Sequence, residues 1–400
     1  MSQSATDPRQ FRAPPKKPLR LSWADERVRA IFWQVLIVGI VIAVVWWLVR
    51  NTQHNLEVRR IATGFGFLNR EAGLPIGEAL IEYTPASTYF RALTVGVLNT
   101  LKVAVVGIIL ATILGTLVGI ARLSKNWLLA KVAAVYVEVI RDIPLLLQLL
   151  FWYTLLQGLP GPRQALNPVT GVFLSNRGLK LPFLDWEVGH SWGLMAFVVG
   201  CCGLYLFAKA MRRRQMQDGQ PRPIWPAAIG FLIGLPALAW WLGGAPVGIE
   251  WPALRGFNFQ GGMSVSPEYF ALLVGLTTYT AGFIAEIVRA GILAVAQGQW
   301  EAAQALGLRP GVVLRQIVLP QALRVIVPPM TSQFLNLTKN SSLAVAIGYQ
   351  DIVSIANTTL NQTGQAIEGI AIIMLVYLTI SLSISLFMNW YNSRIALVER

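Results

Sequence analysis

The sequence predicts an all-α polytopic membrane protein with about eight transmembrane helices. Of its 400 residues, 54% are hydrophobic and only 13% are charged, and the mean hydropathy is +0.54. Soluble domains carry about 25% charged residues, so this deficit is typical of a chain that crosses a membrane several times. A second indication is a series of apolar runs of about 20 residues, the length that spans a bilayer as a helix.

Eight apolar runs are long enough to cross a bilayer. The third contains Pro144, which predicts a kink because proline removes a backbone N–H and crowds the preceding turn. The candidate spans are 31–49, 92–121, 132–157, 192–210, 224–243, 268–290, 325–349 and 368–391.

Basic residues predict the orientation of these spans. Lysine and arginine concentrate in the N-terminal tail, near the C-terminus and beside 122–131, 209–222 and 289–324. Because cytoplasmic loops are enriched in these residues, both termini are expected in the cytoplasm. The arginines between positions 50 and 70 are the exception, since this orientation places them outside. The net charge of +14 has the same explanation and does not indicate a nucleic-acid partner.

No motif in the sequence predicts catalysis. A phosphate-binding P-loop, a nucleophile elbow, an HExxH zinc motif and a CxxC array are all absent. Cys201 and Cys202 are adjacent in an apolar run, which is not a metal-binding spacing. His54 and His190 are far apart in the sequence. The chain is therefore expected to be neither an enzyme nor a cofactor-binding or metal-binding protein, which leaves transport, signalling or scaffolding.

One polar segment between the sixth and seventh spans predicts a folded hook of two helices. It reads EAAQALGLRPGVVLRQIVLP and runs from Glu301 to Pro320. Glu301 is expected in the first turn of the first helix, where an acidic side chain favours the helix dipole. Ala302 and Ala303 give this helix a slim surface, and Gly307 permits a sharp change of direction.

The second half of the hook is expected to begin at Arg309-Pro310-Gly311. Ile317 and Leu319 give this second helix an apolar side, and Pro320 is expected to bend the chain back toward the membrane. Two interpretations are equally open. The hook is either a short helix that enters a partner's hydrophobic groove or an amphipathic connector at the membrane surface.

The spacing of the hook resembles the EAA signature of ABC importer permeases, which is Glu-Ala-Ala, three residues, Gly, nine residues and Ile-x-Leu-Pro. The matching residues are Glu301, Ala302, Ala303, Gly307, Ile317, Leu319 and Pro320.

Flanking segments narrow this resemblance. Two segments resemble the polar amino acid permeases of the histidine/glutamine type. They read AGFIAEIVRAGILAVAQGQWEAAQALGL and FLNLTKNSSLAVAIG. YVEVIRDIPLLLQLLFWYTLL resembles an earlier signature of that family, although Asp142-Ile143 replaces the more usual small or hydroxyl residue before Pro144. The additional N-terminal span and the inserted spans are similar to the longer general L-amino acid permeases.

The resemblance implies a type I ABC importer permease fold in the bacterial inner membrane, and a permease subunit that translocates L-amino acids of broad specificity. It implies that the hook docks on cytoplasmic ABC ATPase subunits, which bind ATP and Mg, whereas this chain binds no cofactor. It also implies two further partners, a second related permease and a periplasmic amino-acid-binding protein.

The predicted organisation follows from the spans and the resemblance. The outer segments 158–191 and 244–267 are rich in Gly, Pro and Trp and are expected to be structured loops. The predicted parts are a cytoplasmic tail (1–30), an extra span with a periplasmic loop (31–91), and a transmembrane domain (92–392) with inserted spans at about 158–265 and a cytoplasmic coupling loop at 293–323.

Ionisable residues inside predicted spans are candidates for a translocation pathway or a gate, because a charge at that depth must face protein or water. Lys339 lies within the seventh span and is followed by Asn340, Ser341 and Ser342. These residues either line a pathway or fix a helix break. Alternatively, Lys339 extends to the outer interface and the hydroxyl groups bond neighbouring helices.

Two further charged groups lie toward the cytoplasmic half of the spans. Glu286 and Arg289 are three residues apart on the sixth span. Glu138, Arg141 and Asp142 cluster on the third. Such side chains can recognise the ammonium or carboxylate of an amino acid. Ion pairing between helices that holds a gate together is the favoured interpretation.

The alternative function is an ion-coupled secondary transporter, or a channel, without an ATPase partner. A secondary transporter needs an acidic or histidine relay at mid-bilayer and often has inverted repeats with broken helices. The sequence indicates neither feature clearly, and this alternative does not explain the hook.

Overall fold

The computed structural model describes residue 23 and residues 26–58, 63–220 and 223–395. The chain divides into two units, Met1–Gly64 and Phe65–Arg400. The first unit contains helix α1 (Glu26–Val58), which is long and apolar enough to cross a membrane. The helix continues past residue 49, so the predicted outer loop begins later than expected. Most of the predicted tail at 1–30 lies outside the described residues.

The second unit is mostly helical. A π turn joins α6 to α7, another joins α10 to α11, and a 3-10 segment (Ser341–Ile347) follows α11. The helices are α2 (Tyr89–Ala121), α3 (Trp127–Asp142), α4 (Leu145–Gln157), α5 (Val188–Asp218), α6 (Trp225–Ile229), α7 (Leu235–Leu242), α8 (Pro267–Leu293), α9 (Gln297–Ala305), α10 (Pro310–Val312), α11 (Leu319–Asn340), α12 (Ile352–Thr363) and α13 (Ala366–Ile395).

Seven helical segments of the described chain are long and apolar enough to span a membrane, compared with eight predicted spans. The difference lies at 132–157, which is divided into α3 and α4. Ile143 has an extended backbone (φ −89°, ψ 126°), because the residue before a proline avoids the helical region. The side-chain amide of Gln148 donates to the carbonyls of Ile140 and Ile143, both at 2.9 Å. The predicted kink at Pro144 is a complete break between two helices, so the continuous third span is not found.

The core of the second unit forms where α2 packs against α8. An added Cβ at Gly115 would lie 2.6 Å from the Cβ of Ile284, and one at Gly119 would lie 2.7 Å from the carbonyl oxygen of Ala285. Small residues four apart therefore let the two helix backbones approach closely. Gly115 and Gly119 are used for packing within this chain.

The two segments expected to be structured loops contain short strands, so the prediction of an all-α protein is wrong there. Strands of two to four residues are too short to give an alternating apolar pattern that can be recognised in the sequence. The first segment contains β1 (Leu166–Val169), β2 (Val172–Ser175), β3 (Gly178–Leu181) and β4 (Phe183–Leu184), and the second contains β5 (Ile249–Glu250), β6 (Ala253–Arg255), β7 (Asn258–Gln260) and β8 (Met263–Val265).

These strands connect the two segments across the α5–α7 insertion. β1, β2, β3 and β8 form one antiparallel sheet, in which Leu179 of β3 faces Val265 of β8. β4 pairs with β5, and β6 pairs with β7. The sheet therefore ends directly at the start of α8, which follows β8.

The loop between residues 65 and 88 packs on α2 and α12. Phe67 lies in a 3-10 turn, and its ring centroid is 6.0 Å from that of Tyr89. Leu74 joins the same buried cluster as Ile352 and Ile355 of α12. This loop, the sheet and the turn before α12 all lie near the N-terminal end of α8.

Candidate functional site

The first helix of the hook, α9, ends in a glycine turn. Gly307 has a φ of +69°, and its N–H donates to the carbonyl of Gln304 at 2.9 Å. The N–H of Leu308 donates to the carbonyl of Ala303 at 3.2 Å. These two bonds form a Schellman motif, in which glycine adopts the left-handed conformation at the lowest cost. The predicted change of direction at Gly307 is confirmed.

Glu301 does not lie where the sequence predicts. Helix α9 begins at Gln297, so Glu301 is in the second turn, and its side chain is exposed. The residue before the helix, Ala296, makes no side-chain cap. The start of α9 therefore lacks the capping signal by which a helix N-terminus is recognised in a sequence.

The chain stays helical at Pro320, and the bend that the sequence predicts there remains a prediction. One continuous helical segment runs from Pro310 to Ile347 through this residue. A π turn (Val313–Val318) lies directly before it. Local π turns accommodate the backbone groups that a proline leaves unpaired, so the helix continues toward α11.

The hook has a buried side and an exposed apolar side. Ala303, Val313 and Val318 are buried in the same cluster as residues of α8 and α11, and Ile317 packs against it. On the other side Leu306 is 78% exposed, and Leu319 is exposed as well. Ile317 and Leu319 therefore do not share one buried face. Leu306 and Leu319 are therefore candidates for an apolar contact with a partner.

Glu286 forms the centre of an ion cluster between α2 and α8. Its carboxylate accepts from Arg289, with an Nη2–Oε1 distance of 2.7 Å. The other carboxylate oxygen contacts Nη1 of Arg122, at the C-terminal end of α2. The predicted pairing of Glu286 with Arg289 is present. Sequence reasoning missed Arg122, because nothing local indicates a contact with a residue 164 positions away.

The expected ion pairing is not found at the end of α3. Glu138, Arg141 and Asp142 are exposed, and within the described ranges none of them forms a salt bridge. The guanidinium carbon of Arg141 instead lies 5.1 Å from the ring centroid of Phe283 on α8. A cation over an aromatic face replaces the predicted ion pair in this contact.

The Lys339–Ser342 segment contains a break in helix type. Helix α11 ends at Asn340, and the 3-10 segment begins at Ser341. The buried Ser341 hydroxyl donates to the Thr338 carbonyl and the Ser342 hydroxyl to the Lys339 carbonyl, both at 2.7 Å. Lys339 is exposed in the last helical turn, where a cation favours the helix dipole.

The structure does not bring these groups into one site. The hook precedes α11, and Lys339 lies at the far end of that helix. At 1.5 Å per residue, the helix separates them by about 30 Å. The hook and the Lys339 segment are therefore separate regions, and among the described residues no hydrogen bond or salt bridge joins the ion cluster to either.

Family and sequence comparisons agree with this architecture. A family model described as "Binding-protein-dependent transport system inner membrane component" matches residues 105–397. The chain belongs to this family, and within it to the polar amino acid ABC transporter permeases. It is therefore a membrane component of a transporter rather than an enzyme, and the family works with an ATPase and a binding protein.

Three relatives are similar over nearly their whole length. The chain is 54% identical to YhdX of Escherichia coli, whose name assigns it to amino-acid ABC transporter permeases, over 95% of this chain and 97% of that protein. It is 49% identical to the general L-amino acid transport system permease protein AapQ of Rhizobium johnstonii, over 95% and 96%. It is 42% identical to the glutamate/glutamine/aspartate/asparagine transport system permease protein BztB of Rhodobacter capsulatus, over 97% and 99%.

Proposed function

We propose that this chain is the permease subunit of an ABC importer that carries L-amino acids of broad specificity across the inner membrane. The observation that carries the proposal is the likeness to AapQ and BztB over at least 95% of the chain. An alignment of this extent includes most of the first span and of the inserted segment. These two parts distinguish the long permeases from shorter ones. Both relatives are named for amino-acid transport, and AapQ is named as a general system.

In the proposed topology the chain crosses the membrane eight times, with both termini in the cytoplasm. The seven long apolar segments each make one crossing, and α3 with α4 makes the eighth as a broken helix. The basic residues that flank the hook support this orientation. In this topology the cytoplasmic tail is 1–30, the extra span with its outer loop is 31–91, and the permease domain is 92–392. The hook lies within the cytoplasmic loop at 293–323.

The hook couples this permease to cytoplasmic ATPase subunits, which bind ATP and Mg. Its exposed Leu306 supplies an apolar contact for the partner. Because Val313 and Val318 are buried against the membrane helices, a displacement of the hook is transmitted into α11. A second related permease completes the pore, and a periplasmic binding protein delivers the amino acid. ATP-driven closure of the ATPases then alternates access to the pore.

The ion cluster holds the cytoplasmic ends of α2 and α8 together. Arg122 and Glu286 join two helices that are close-packed along their length. The other candidates for the translocation pathway or gate are Glu138, Arg141, Asp142, Lys339, Asn340, Ser341 and Ser342.

Gentle detergent purification of the tagged full chain from its own membranes tests this function. We expect an ATPase subunit and a second permease to co-purify, with ATPase activity that depends on the hook. Gly307→Pro should uncouple transport from ATP hydrolysis while the chain remains inserted, because proline cannot adopt a φ of +69°. Purification of the chain alone, with transport that needs no ATP, would favour an ion-coupled transporter.

A further inference from the structure

A polar cavity of about 240 Å³ lies beside the N-terminal end of α8. The loop at 65–88, the β-sheet and the turn before α12 each contribute to its lining, which includes Glu78, Arg177, Glu268 and Tyr349. A cavity of about 150 Å³ accommodates a benzene ring, so this one is large enough for a small metabolite. Arg177 is exposed and Tyr349 is buried, so the cavity extends inward from an open mouth.

Glu78 is a fixed part of the cavity wall. One carboxylate oxygen lies 3.1 Å from Nζ of Lys102, and the other accepts from the N–H of Ser266 at 2.9 Å. Nζ of Lys102 is also 4.1 Å from the ring centroid of Tyr269. The charge of Glu78 is thus balanced by a lysine on α2 and is not available to a ligand.

Three other lining groups have unused hydrogen-bonding or ion-pairing capacity within the described part of the chain. The Arg177 guanidinium has no ion-pair or hydrogen-bond partner there. Glu268 uses one carboxylate oxygen, which accepts from the Tyr153 hydroxyl at 3.2 Å, and its second oxygen is free. Tyr349 is only 3% exposed, and its buried hydroxyl has no hydrogen-bond partner.

The Tyr349 hydroxyl has almost no accessible surface and no hydrogen-bond partner among the described residues, so it lies behind the cavity wall. Burial and the nearby negative charge of Glu78 raise the pKa of Tyr349 above its usual range, so the hydroxyl stays protonated. A buried donor without a partner is unfavourable unless a ligand or water satisfies it. The cavity therefore offers a ligand one cation, Arg177, and one acid, Glu268.

We propose that this cavity binds the zwitterion of an L-α-amino acid, with Arg177 on the carboxylate and Glu268 on the ammonium. Charge-assisted hydrogen bonds of this kind fix both ends of the ligand. The proposal rests on the proposed function, which places the cavity on the periplasmic side. The site then receives the amino acid between its release from the binding protein and its entry into the pore.

Equilibrium binding to the detergent-purified complex, without the binding protein, tests the site. The probes are radiolabelled L-glutamine, L-glutamate and L-leucine. The competitors are glutaramate, which is glutamine without the amino group, and 4-aminobutanamide, which is glutamine without the carboxylate. At least one probe should bind. Each competitor carries only one of the two charges, and its dissociation constant should be at least tenfold higher than that of L-glutamine.

Arg177→Gln should remove the discrimination against 4-aminobutanamide, and Glu268→Gln should remove the discrimination against glutaramate. Arg255→Gln is the matched control, because Arg255 is exposed on β6 and does not line the cavity. An unchanged elution volume and an unchanged melting temperature establish that each variant is folded, whether or not the ATPase co-purifies. Binding of no probe, or unchanged discrimination in both cavity variants, would overturn the site.

The same preparations separate this proposal from the proposed function. If ATP-dependent uptake persists while the cavity variants bind like the parent chain, the importer stands and the cavity site is wrong. If no ATPase co-purifies, the importer is wrong, and the binding measurement still decides whether the cavity takes a zwitterion, since it needs no ATP.

Discussion

Arg122 and Glu286 lie 164 positions apart in the sequence and meet in an ion pair that joins the C-terminal end of α2 to α8. Arg289, one turn further along α8, occupies the other carboxylate oxygen of Glu286. Two guanidinium groups therefore share one carboxylate where the two helices are closely packed, which leaves the cluster a net positive charge.

Glu286→Gln should weaken this junction, because it leaves two arginines close together without a countercharge. The Glu286 side chain is 29% exposed, so solvent limits the loss to about 1 kcal/mol of unfolding free energy. Thermal unfolding of the purified chain should show the loss. Glu138→Gln is the control, since Glu138 has no ion pair within the described residues. Equal melting temperatures for the two variants would show that the cluster does not stabilise the helices.

Gly307→Ala should strain the hook, because Gly307 has a φ of +69° and a side chain there costs roughly 1–2 kcal/mol. Space is not the reason, since no atom of the described residues lies within 4 Å of an added Cβ. Gly298→Ala is the matched control, because Gly298 is helical and equally uncrowded. ATPase activity stimulated by substrate-loaded binding protein should fall for Gly307→Ala only. A similar fall in both variants would mean that the left-handed turn is not required.

Local signals made much of this architecture predictable. The turn at Gly307 and the break at Pro144 both follow from the backbone preferences of single residues. The spans follow from long apolar runs, which a bilayer requires whatever the tertiary contacts are.

Long-range contacts were not predictable from a single sequence. The pair of Arg122 with Glu286, and the pairing of β3 with β8 across an inserted helical hairpin, depend on tertiary structure alone. Pro320 shows the limit of a local rule, because a π turn precedes it and the chain remains helical through the proline. The polar cavity was missed for the same reason, since Glu78, Arg177 and Tyr349 come from three distant segments.

Leu306→Asn should weaken ATPase docking without unfolding the permease, because Leu306 is 78% exposed and buries little within this chain. We expect roughly tenfold less ATPase subunit to co-purify at equal expression, which corresponds to about 1.4 kcal/mol of binding free energy. The melting temperature of the permease alone should not change. Val313→Asn is the contrasting variant, because Val313 is buried and the new amide would lower stability. Normal ATPase recovery with Leu306→Asn would place the docking surface elsewhere.

Asp351 should make stability depend on pH. It lies outside the seven long apolar segments, is 1% exposed and caps α12 by accepting from the Ser354 N–H at 2.8 Å. Burial raises the pKa of Asp351 to about 7, above its value in an unfolded chain. The folded state therefore binds the proton more tightly, and this contribution is lost as the pH rises from about 4 through about 7.

Asp351→Asn is the test of this pH dependence, since asparagine retains the cap but cannot ionise. The unfolding free energy of the parent chain should fall across that range relative to the variant, by on the order of a few kcal/mol. Parallel stability curves for the two proteins between pH 4 and 8 would show that Asp351 does not carry the effect.

Two glycine motifs with the same spacing should respond differently to the same substitution. Gly115 and Gly119 lie where α2 meets α8, and an added Cβ at Gly115 would be 2.6 Å from the Cβ of Ile284. Gly230 and Gly234 occur in the π turn between α6 and α7, and an added Cβ at Gly230 would have no neighbour within 4 Å in the described part of the chain. Gly115→Ala should therefore force α2 and α8 apart at a cost of about 1–3 kcal/mol, while Gly230→Ala should be nearly neutral.

Thermal unfolding and ATP-dependent uptake of the two alanine variants check this contrast. Because Arg122 and Glu286 lie beyond the same contact, separation of the helices by Gly115→Ala should also weaken that ion pair. The double variant Gly115→Ala with Glu286→Gln should then lose less stability than the two single losses added together. Strict additivity would mean that the glycine contact and the ion cluster stabilise α2 and α8 independently.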